Sequence, residues 1–356
     1  MKIIQVAESF GAGVYSFLVD MSNDLAEEHE VVIVYSKRKE TPKNFINDFH
    51  PKVRFIEIDM RLKNSLLAII KLRNIIKEEN PNIVHLHSSK AGFVGRVAAK
   101  LANYKGKLFY NPHGLAYLRL DFPKVLRKIL FIAEKILTKL GGLVIAVSES
   151  EKKEVQKFTN NVIRINNGID IEKFERELNN INKKKNNDSI IIGTVGRIEY
   201  QKNPMLFNEI AESFPNIKFL WIGDGSLRGE LRSGNIEITG WLDRKEVLKR
   251  LLEIDIYIQT SLWEGLPISV LEAMYLKKPI VAKKTVGNVD LVKPNYNGFI
   301  FCDKLQAKNY LNQLLANKEE IYTFGNNSRK KVIAEFSLAN TIRSYREIYF
   351  QIGNVR

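Results

Sequence analysis

Short runs of consecutive apolar residues, rich in valine and isoleucine, alternate along this chain with longer stretches whose apolar positions recur at helical spacing. In the first half the runs are KIIQVA (2–7), EVVIVY (30–35), VRFIEI (53–58), IVHLH (83–87), KLFYN (107–111), LVIAV (143–147) and VIRI (162–165). Between them VYSFLVDMSNDLAEE, SLLAIIKLRNIIKEE, GFVGRVAAKLA and KVLRKILFIAEKILTKL read as helices. Strands that are continuously apolar, rather than alternating, are buried on both faces. With helices between them they predict a parallel sheet covered on both sides.

The rhythm breaks at LNNINKKKNND (178–188), where apolar residues almost vanish, as expected of a solvated linker. It restarts with SIIIGTV (189–195), IKFLWIG (217–223), IEITG (236–240), IYIQT (256–260), PIVA (279–282) and GFIF (298–301). The expected fold is α/β, with two doubly wound, Rossmann-like parallel-sheet domains. Residues 1–177 form the first, 178–188 the linker and 189–337 the second; 338–356 form a terminal helix that can pack on either domain, including back on the first. In such a pair the carboxyl ends of both sheets are expected to face a shared cleft, where ligands bind.

A length of 356 residues, 45% hydrophobic and 27% charged, suits two globular domains and excludes a disordered chain. Cys302 is the single cysteine, so neither a disulfide framework nor a cysteine-based metal site is available. Met1 leads directly into the first apolar run, and nothing approaches the roughly 18 consecutive apolar residues of a membrane span. A cytoplasmic, unprocessed protein is expected. The net charge of +15 is spread over both halves, which points to an anionic partner: nucleic acid, a charged small molecule or a membrane face.

Candidate chemistry sits at the strand ends. In SLWEGLPISVLEA (261–273), Glu264 and Glu272 flank a Gly-Leu-Pro turn and the first turns of an apolar helix. Pro267 suits the first helical turn, and the amides around Ile268, Ser269 and Val270 form an anion site. Glu272 leans back toward that end, where it suits the ribose hydroxyls of a nucleotide. The plain alternative makes Glu264 a solvated loop residue and Glu272 a surface helix residue. In GTVGRIEYQKN (193–203), Arg197 and Lys202 follow a buried strand and suit a diphosphate, the alternative being two ordinary surface cations. Gly11 and Gly13 follow the first strand, but Ser16 leaves the GxGxxG pattern incomplete. His113 of NPHG and the Ser88, Ser89, Lys90 group lie after strands at the expected cleft. His85 and His87 alternate with Leu86 and read as packed residues. No HExxH or comparable grouping appears, so no metal is expected.

The order of E264-x7-E272, GRIEYQKN, NNGID (166–170), GDGSLR (223–228) and ITGW (238–241) resembles the GT-B retaining glycosyltransferases of family 4, over almost the whole chain. SFGAGVYSFLVD with HLHSSKAG resembles its capsule and exopolysaccharide branch. That resemblance implies the following roles. Glu272 holds the ribose of a nucleotide-sugar donor, expected to be a UDP-sugar, and Glu264 contacts the hydroxyls of the donor sugar. Arg197 and Lys202 bind the diphosphate, the Gly240–Leu242 loop with Trp241 meets the base, and Gly13 approaches the phosphates. His113 lines the reaction centre. Ser88 and Lys90 are candidates on the acceptor side. NPHG lacks the acidic residue that often follows this motif, so acceptor recognition does not carry over. No cofactor or metal is expected, and the acceptor is a saccharide, free or lipid-linked, in cell-surface polysaccharide synthesis.

Transfer passes through an oxocarbenium-like state while charge builds on the departing diphosphate, so cations and a helix end are fitting catalysts. The segment 122–140 carries Lys124, Arg127, Lys128, Lys135 and Lys139 against Glu134, with apolar residues between. It suits a helix lying peripherally on an anionic membrane, or equally a sheet-packed helix with a solvated basic face. A nucleotide-sugar epimerase of the same architecture and a basic nucleic-acid binder are the competing readings. A nicotinamide dehydrogenase is disfavoured by the incomplete glycine pattern.

Overall fold

A computed structural model describes residues 1–38, 41–181 and 189–350. Each of the thirteen apolar runs is a strand. Contacts divide the chain into two compact units: Met1–Leu118, Phe122–Ile165 and the chain from Ile342 on, and Arg119–Asp121 with Asn166–Thr341. Of the expected linker, residues 182–188 lie outside the described residues, as do 351–356 of the terminal segment.

The first unit is a seven-stranded parallel sheet of β1 (Lys2–Ala7), β2 (Glu30–Tyr35), β3 (Arg54–Glu57), β4 (Ile83–His87), β5 (Lys107–Asn111), β6 (Leu143–Ala146) and β7 (Val162–Arg164). Its order is β3-β2-β1-β4-β5-β6-β7. The helices are α1 (Ala12–Ala26), α2 (Ser65–Glu79), α3 (Ser89–Leu101), α4 (Lys124–Leu137) and α5 (Glu149–Val155). Alternate strand residues serve opposite faces. Ile4 and Val6 of β1 share a core with Leu72 and Ile76 of α2 and Val94 and Ala98 of α3. Ile3 and Ala7 share the other with Leu18, Met21 and Leu25 of α1 and with Tyr345 and Tyr349. Because β1 pairs with β2 on one side and β4 on the other, the order reverses there. The carboxyl ends of β1 and β4 are therefore the expected ligand position.

Helix α4 is held by a buried acid. Glu134 accepts from Arg96 Nη2 at 2.7 Å and from the Tyr110 hydroxyl at 2.8 Å, and the Arg96 guanidinium lies 4.2 Å from the Tyr110 ring centroid. Arg96 is wholly buried, and such a charge is tolerable only when paired. The opposite face of α4 is not simply basic. Val125, Ile129, Ile132 and Ile136, one stripe at helical spacing, are 72%, 56%, 45% and 57% exposed. Lys124, Lys128 and Lys135 line one side of this apolar stripe rather than covering it.

The second unit holds α6 (Ile171–Asn179), β8 (Ile191–Val195), α7 (Pro204–Glu212), β9 (Lys218–Ile222), β10 (Ile236–Ile238), α8 (Arg244–Glu253) and β11 (Ile256–Gln259). It continues with α9 (Ile268–Tyr275), β12 (Ile280–Lys283), α10 (Asn288–Leu291), β13 (Gly298–Phe301), α11 (Lys304–Ala316) and α12 (Lys318–Glu335). Its parallel sheet runs β10-β9-β8-β11-β12-β13, so the order reverses between β8 and β11. Phe207 and Ile210 of α7, with Leu311 and Leu314 of α11, fill one face. The last helix, α13 (Leu338–Phe350), belongs to the first unit from Ile342 onward. Among the described residues no helix is long and apolar enough to cross a membrane.

Candidate active site

In the second unit the chemistry gathers where the sheet order reverses. β8 ends at Val195, and the chain turns through Gly196 at φ +158°. The loop after β9 crosses it so closely that a Cβ on Gly223 would lie 2.3 Å from the Gly196 carbonyl oxygen. Two backbone bonds, Ile198 N–H to Asp224 O at 2.8 Å and Leu227 N–H to Ile198 O at 3.0 Å, join the two loops. Arg197 sits on this turn. Lys202 ends a short 3₁₀ turn, and Asn203 in the left-handed region caps α7.

Lys202 Nζ lies 2.7 Å from Glu264 Oε1. That carboxylate also accepts from Gln259 Nε2 at 3.1 Å and Gln201 Nε2 at 3.4 Å. Thr260 Oγ1 donates to the Lys202 carbonyl at 2.7 Å and Leu262 N–H to the Gln201 carbonyl at 2.8 Å, fixing the two loops together. Glu264 is only 7% exposed and Glu272 only 8%. Neither is the solvated residue of the plain alternative.

Helix α9 begins at Ile268, one residue after the expected start, with Pro267 at the capping position. The amides of Ile268 and Ser269 therefore have no intrahelical acceptor. Tyr257, fully buried on β11, accepts from Val195 N–H at 3.2 Å and donates to Ser269 Oγ at 3.2 Å. This ties the end of β8 to the first turn of α9. Gly287, at φ +82°, lets its loop approach Gly265: a Cβ there would meet the Gly265 oxygen at 2.3 Å. Glu272 pairs with Arg244 Nη1 at 2.6 Å, and Arg244 Nε also donates to Glu177 at 3.1 Å. Burial raises the Glu272 pKa, and the guanidinium opposes that rise. Trp241 is exposed beside Gly240, whose loop meets the Gly223 loop through Gly223 N–H and Thr239 Oγ1 at 3.1 Å. Arg244 was missed in the sequence. Its one signal is Asp243, which caps α8 and so places the next residue on the first turn.

In the first unit, β5 leads to His113 at φ +51° and Gly114 at φ +104°. A histidine in the left-handed region is sparsely populated and persists where its surroundings impose it. Glu151, wholly buried, imposes it by accepting from Gly114 N–H and Val147 N–H, each at 2.8 Å. The Ser148-x-x-Glu151 spacing was the available signal, since it has the form of a capping box. Ser148 does cap α5 through Glu151 N–H, but the acid turns to the His113 turn instead of completing the box.

His113 Nε2 lies 3.0 Å from His87 Nδ1, and His87 Nε2 lies 2.7 Å from Gln5 Oε1. Burial lowers the pKa of His113 to about 4 and of His85 to about 3, and His87 falls well below its usual value for the same reason. All three rings are neutral at pH 7. His85 and His87 are packed at 0% exposure, yet His87 also bonds the candidate residue. At the end of β1, Glu8 pairs with Arg38 at 2.5 Å and Lys90 at 3.7 Å. Ser88 is at φ +81°, and its hydroxyl oxygen has no protein partner. Gly13 faces open space. Among the described residues no three His, Cys, Asp or Glu side chains gather as a metal would need.

Two Rossmann-like units with charged and amide-bearing loops at their strand ends have the form of a nucleotide-using enzyme. Residues 11–173 match the model for Glycosyltransferase Family 4 and residues 175–331 that for Glycosyl transferases group 1. The chain belongs to this family of glycosyltransferases. It is 28% identical over 319 residues to an Escherichia coli UDP-Gal:alpha-D-GlcNAc-diphosphoundecaprenol alpha-1,3-galactosyltransferase, covering 83% of this chain and 81% of that one. It is 27% identical over 339 residues to the Staphylococcus aureus capsular polysaccharide biosynthesis glycosyltransferase CapM, covering 86% of each. Its fold is that of sucrose-phosphate synthase from Thermosynechococcus elongatus (TM-score 0.80, 17% identity, 99% and 98% covered). Anabaena Alr3699/HepE in complex with UDP is equally similar (TM-score 0.80, 18% identity, 99% and 100% covered). The fold is GT-B, and these matches do not favour the epimerase reading.

Proposed function

We propose that the protein transfers a sugar from a UDP-sugar to a saccharide carried on a lipid diphosphate, with retention of configuration, in cell-surface polysaccharide synthesis. The observation that carries this reading is the buried Lys202–Glu264 pair beside the open amides of α9, where the second sheet reverses its order. UDP in the Anabaena protein and the lipid-diphosphate acceptor in the name of the Escherichia coli relative support the choice of donor and acceptor.

In this reading Glu272 accepts from the ribose hydroxyls, Trp241 and its loop meet the base, and Glu264 accepts from the sugar hydroxyls. Arg197, Lys202 and the Ile268 and Ser269 amides take the charge that develops on the diphosphate, so no metal is required for that task. The bond from the anomeric carbon to the phosphate oxygen breaks, and the bond to the acceptor oxygen forms on the same face. The acceptor proton passes to the leaving phosphate oxygen. His113 orients the sugar, open space at Gly13 admits a phosphate, and Ser88 and Lys90 serve the acceptor.

Nucleotide release from a panel of UDP-, dTDP- and GDP-sugars, with a lipid-linked saccharide present, tests the assignment. UDP release is expected, and its loss in folded Lys202→Ala and Glu272→Ala; full turnover in either variant refutes it. An inverted anomeric product, or a trapped covalent glycosyl-enzyme, refutes retention by front-face transfer. The α4 stripe is proposed to rest on the anionic inner face of the membrane, its isoleucines in the headgroup region and its lysines on lipid phosphates. Flotation with anionic liposomes is expected for the native chain and not for Ile129→Glu/Ile132→Glu. Flotation of both to the same extent refutes the proposed contact.

A further inference from the structure

The hydrogen bonds that begin at His113 continue well beyond His87. Gln5 Nε2 donates to the Tyr349 hydroxyl at 3.4 Å, and that hydroxyl bonds His85 Nδ1. His85 Nε2 lies 2.6 Å from Asn111 Oδ1, and Asn111 Nδ2 donates to the Tyr345 hydroxyl at 2.7 Å. Gln5, His85, His87, Asn111, Tyr345 and Tyr349 are all 0% exposed. Three adjacent strands, β1, β4 and β5, thus contribute to one polar chain on the sheet face covered by α1 and α13.

The chain has a sense. An amide has an accepting end and a donating end, and a neutral imidazole has one nitrogen of each kind. With Gln5 Oε1 toward His87, His87 carries its proton on Nε2 and accepts on Nδ1. His113 must then donate from Nε2, which leaves its Nδ1 as an acceptor. The same sense runs on: Gln5 donates to Tyr349, Tyr349 to His85, His85 to Asn111 and Asn111 to Tyr345. Reversal at one link leaves two donors or two acceptors facing each other, away from water. Only a concerted flip of both amides and both hydroxyls, with a change of tautomer at all three imidazoles, restores a satisfied chain.

We infer that this relay, anchored by Tyr349 and Tyr345 of the terminal helix, sets which ring nitrogen of His113 carries the proton. Gln5 and Tyr349 are positioning residues, and α13 is part of the machinery by which His113 presents an acceptor at Nδ1. The partner of that lone pair is a hydroxyl-bearing ligand, and this last step rests on the transfer reaction proposed above.

Nitrogen-15 spectra of histidine-labelled protein distinguish the two neutral tautomers directly and need no substrate. His113, His87 and His85 are all expected as Nε2–H in the native chain. In Tyr349→Phe, which keeps the ring and its packing, the His113 signal is expected to become a mixture. kcat is expected to fall about tenfold, the worth of one buried hydrogen bond, with the donor KM held. Gln5→Met cuts the same link from the other side and serves if Tyr349→Phe does not fold. A native His113 in the Nδ1–H form overturns the inference. So does a His113 that stays wholly Nε2–H in either folded variant, the result expected if Tyr349 only packs. Failure of the transfer reading appears separately, as native protein with the expected tautomers and no nucleotide release.

Discussion

Acidification is expected to unfold this protein earlier than its carboxylates require, and His85 provides the magnitude. Burial lowers its pKa from the ordinary 6.5 to about 3. The ring loses water and gains only neutral partners, Tyr349 and Asn111. The folded state therefore holds a neutral ring across the range in which the unfolded chain takes up a proton. Stability therefore drops as pH is lowered, because it rises with pH wherever the unfolded state binds more protons. At pH 5 the unfolded form is favoured through this residue by about 2 kcal/mol relative to neutrality, and the loss approaches its full value only as pH nears 3. His87 and His113 act in the same direction. Against a total stability of about 5–15 kcal/mol, this is a large fraction. Urea unfolding at intervals from pH 7.5 to 5.2 measures it, in a window where carboxylates of the unfolded chain stay ionised. His85→Asn removes one titrating ring, so its stability is expected to fall less steeply, by about 1.4 kcal/mol per pH unit near pH 5.5. A native stability that is flat down to pH 5.2, or a slope unchanged in His85→Asn, refutes the reasoning.

Three further outcomes are expected. Because the pKa of His113 is lowered to about 4 by burial, kcat/KM for transfer is expected to show no inflexion near 6.5, with any loss assigned to this ring appearing only toward pH 4. Gly287→Ala places a Cβ against the Gly265 oxygen at φ +82°. A cost of about 1–3 kcal/mol in thermal melting should accompany weaker donor binding, since Glu264 sits on the displaced turn. Glu134→Ala leaves the Arg96 guanidinium buried without its counter-charge and is expected to cost about 3–5 kcal/mol, whereas Arg96→Met/Glu134→Leu recovers most of it. A melting temperature for the double variant no higher than for Glu134→Ala would refute that account.

Most of the scaffold was legible without coordinates, for a specific reason. A parallel strand buried on both faces reads as an unbroken apolar run, so KIIQVA or IYIQT announces itself regardless of its neighbours. The turns at strand ends carry local signals too, since Gly196 and Gly223 adopt φ values that favour glycine. These turns point to Arg197 and Lys202, and the Gly-Leu-Pro turn at 265–267 points to Glu264 and Glu272. They did not show that both glutamates are buried, because a carboxylate in a loop or helix looks the same exposed or enclosed.

What tertiary structure alone decided is which distant groups share one enclosure. Arg244 reaches Glu272 from another helix, and Tyr345 reaches Asn111 across 234 positions; no periodicity encodes either meeting. Helix α4 is the case between. Its sequence fixed an amphipathic pattern with apolar residues on more than one side, but only packing chose Leu137 for the interior and left Ile129 and Ile136 outside. Local chain chemistry sets the elements because each responds to its own few residues. The environment of a charge or an imidazole depends on everything folded around it, and only the completed fold supplies that.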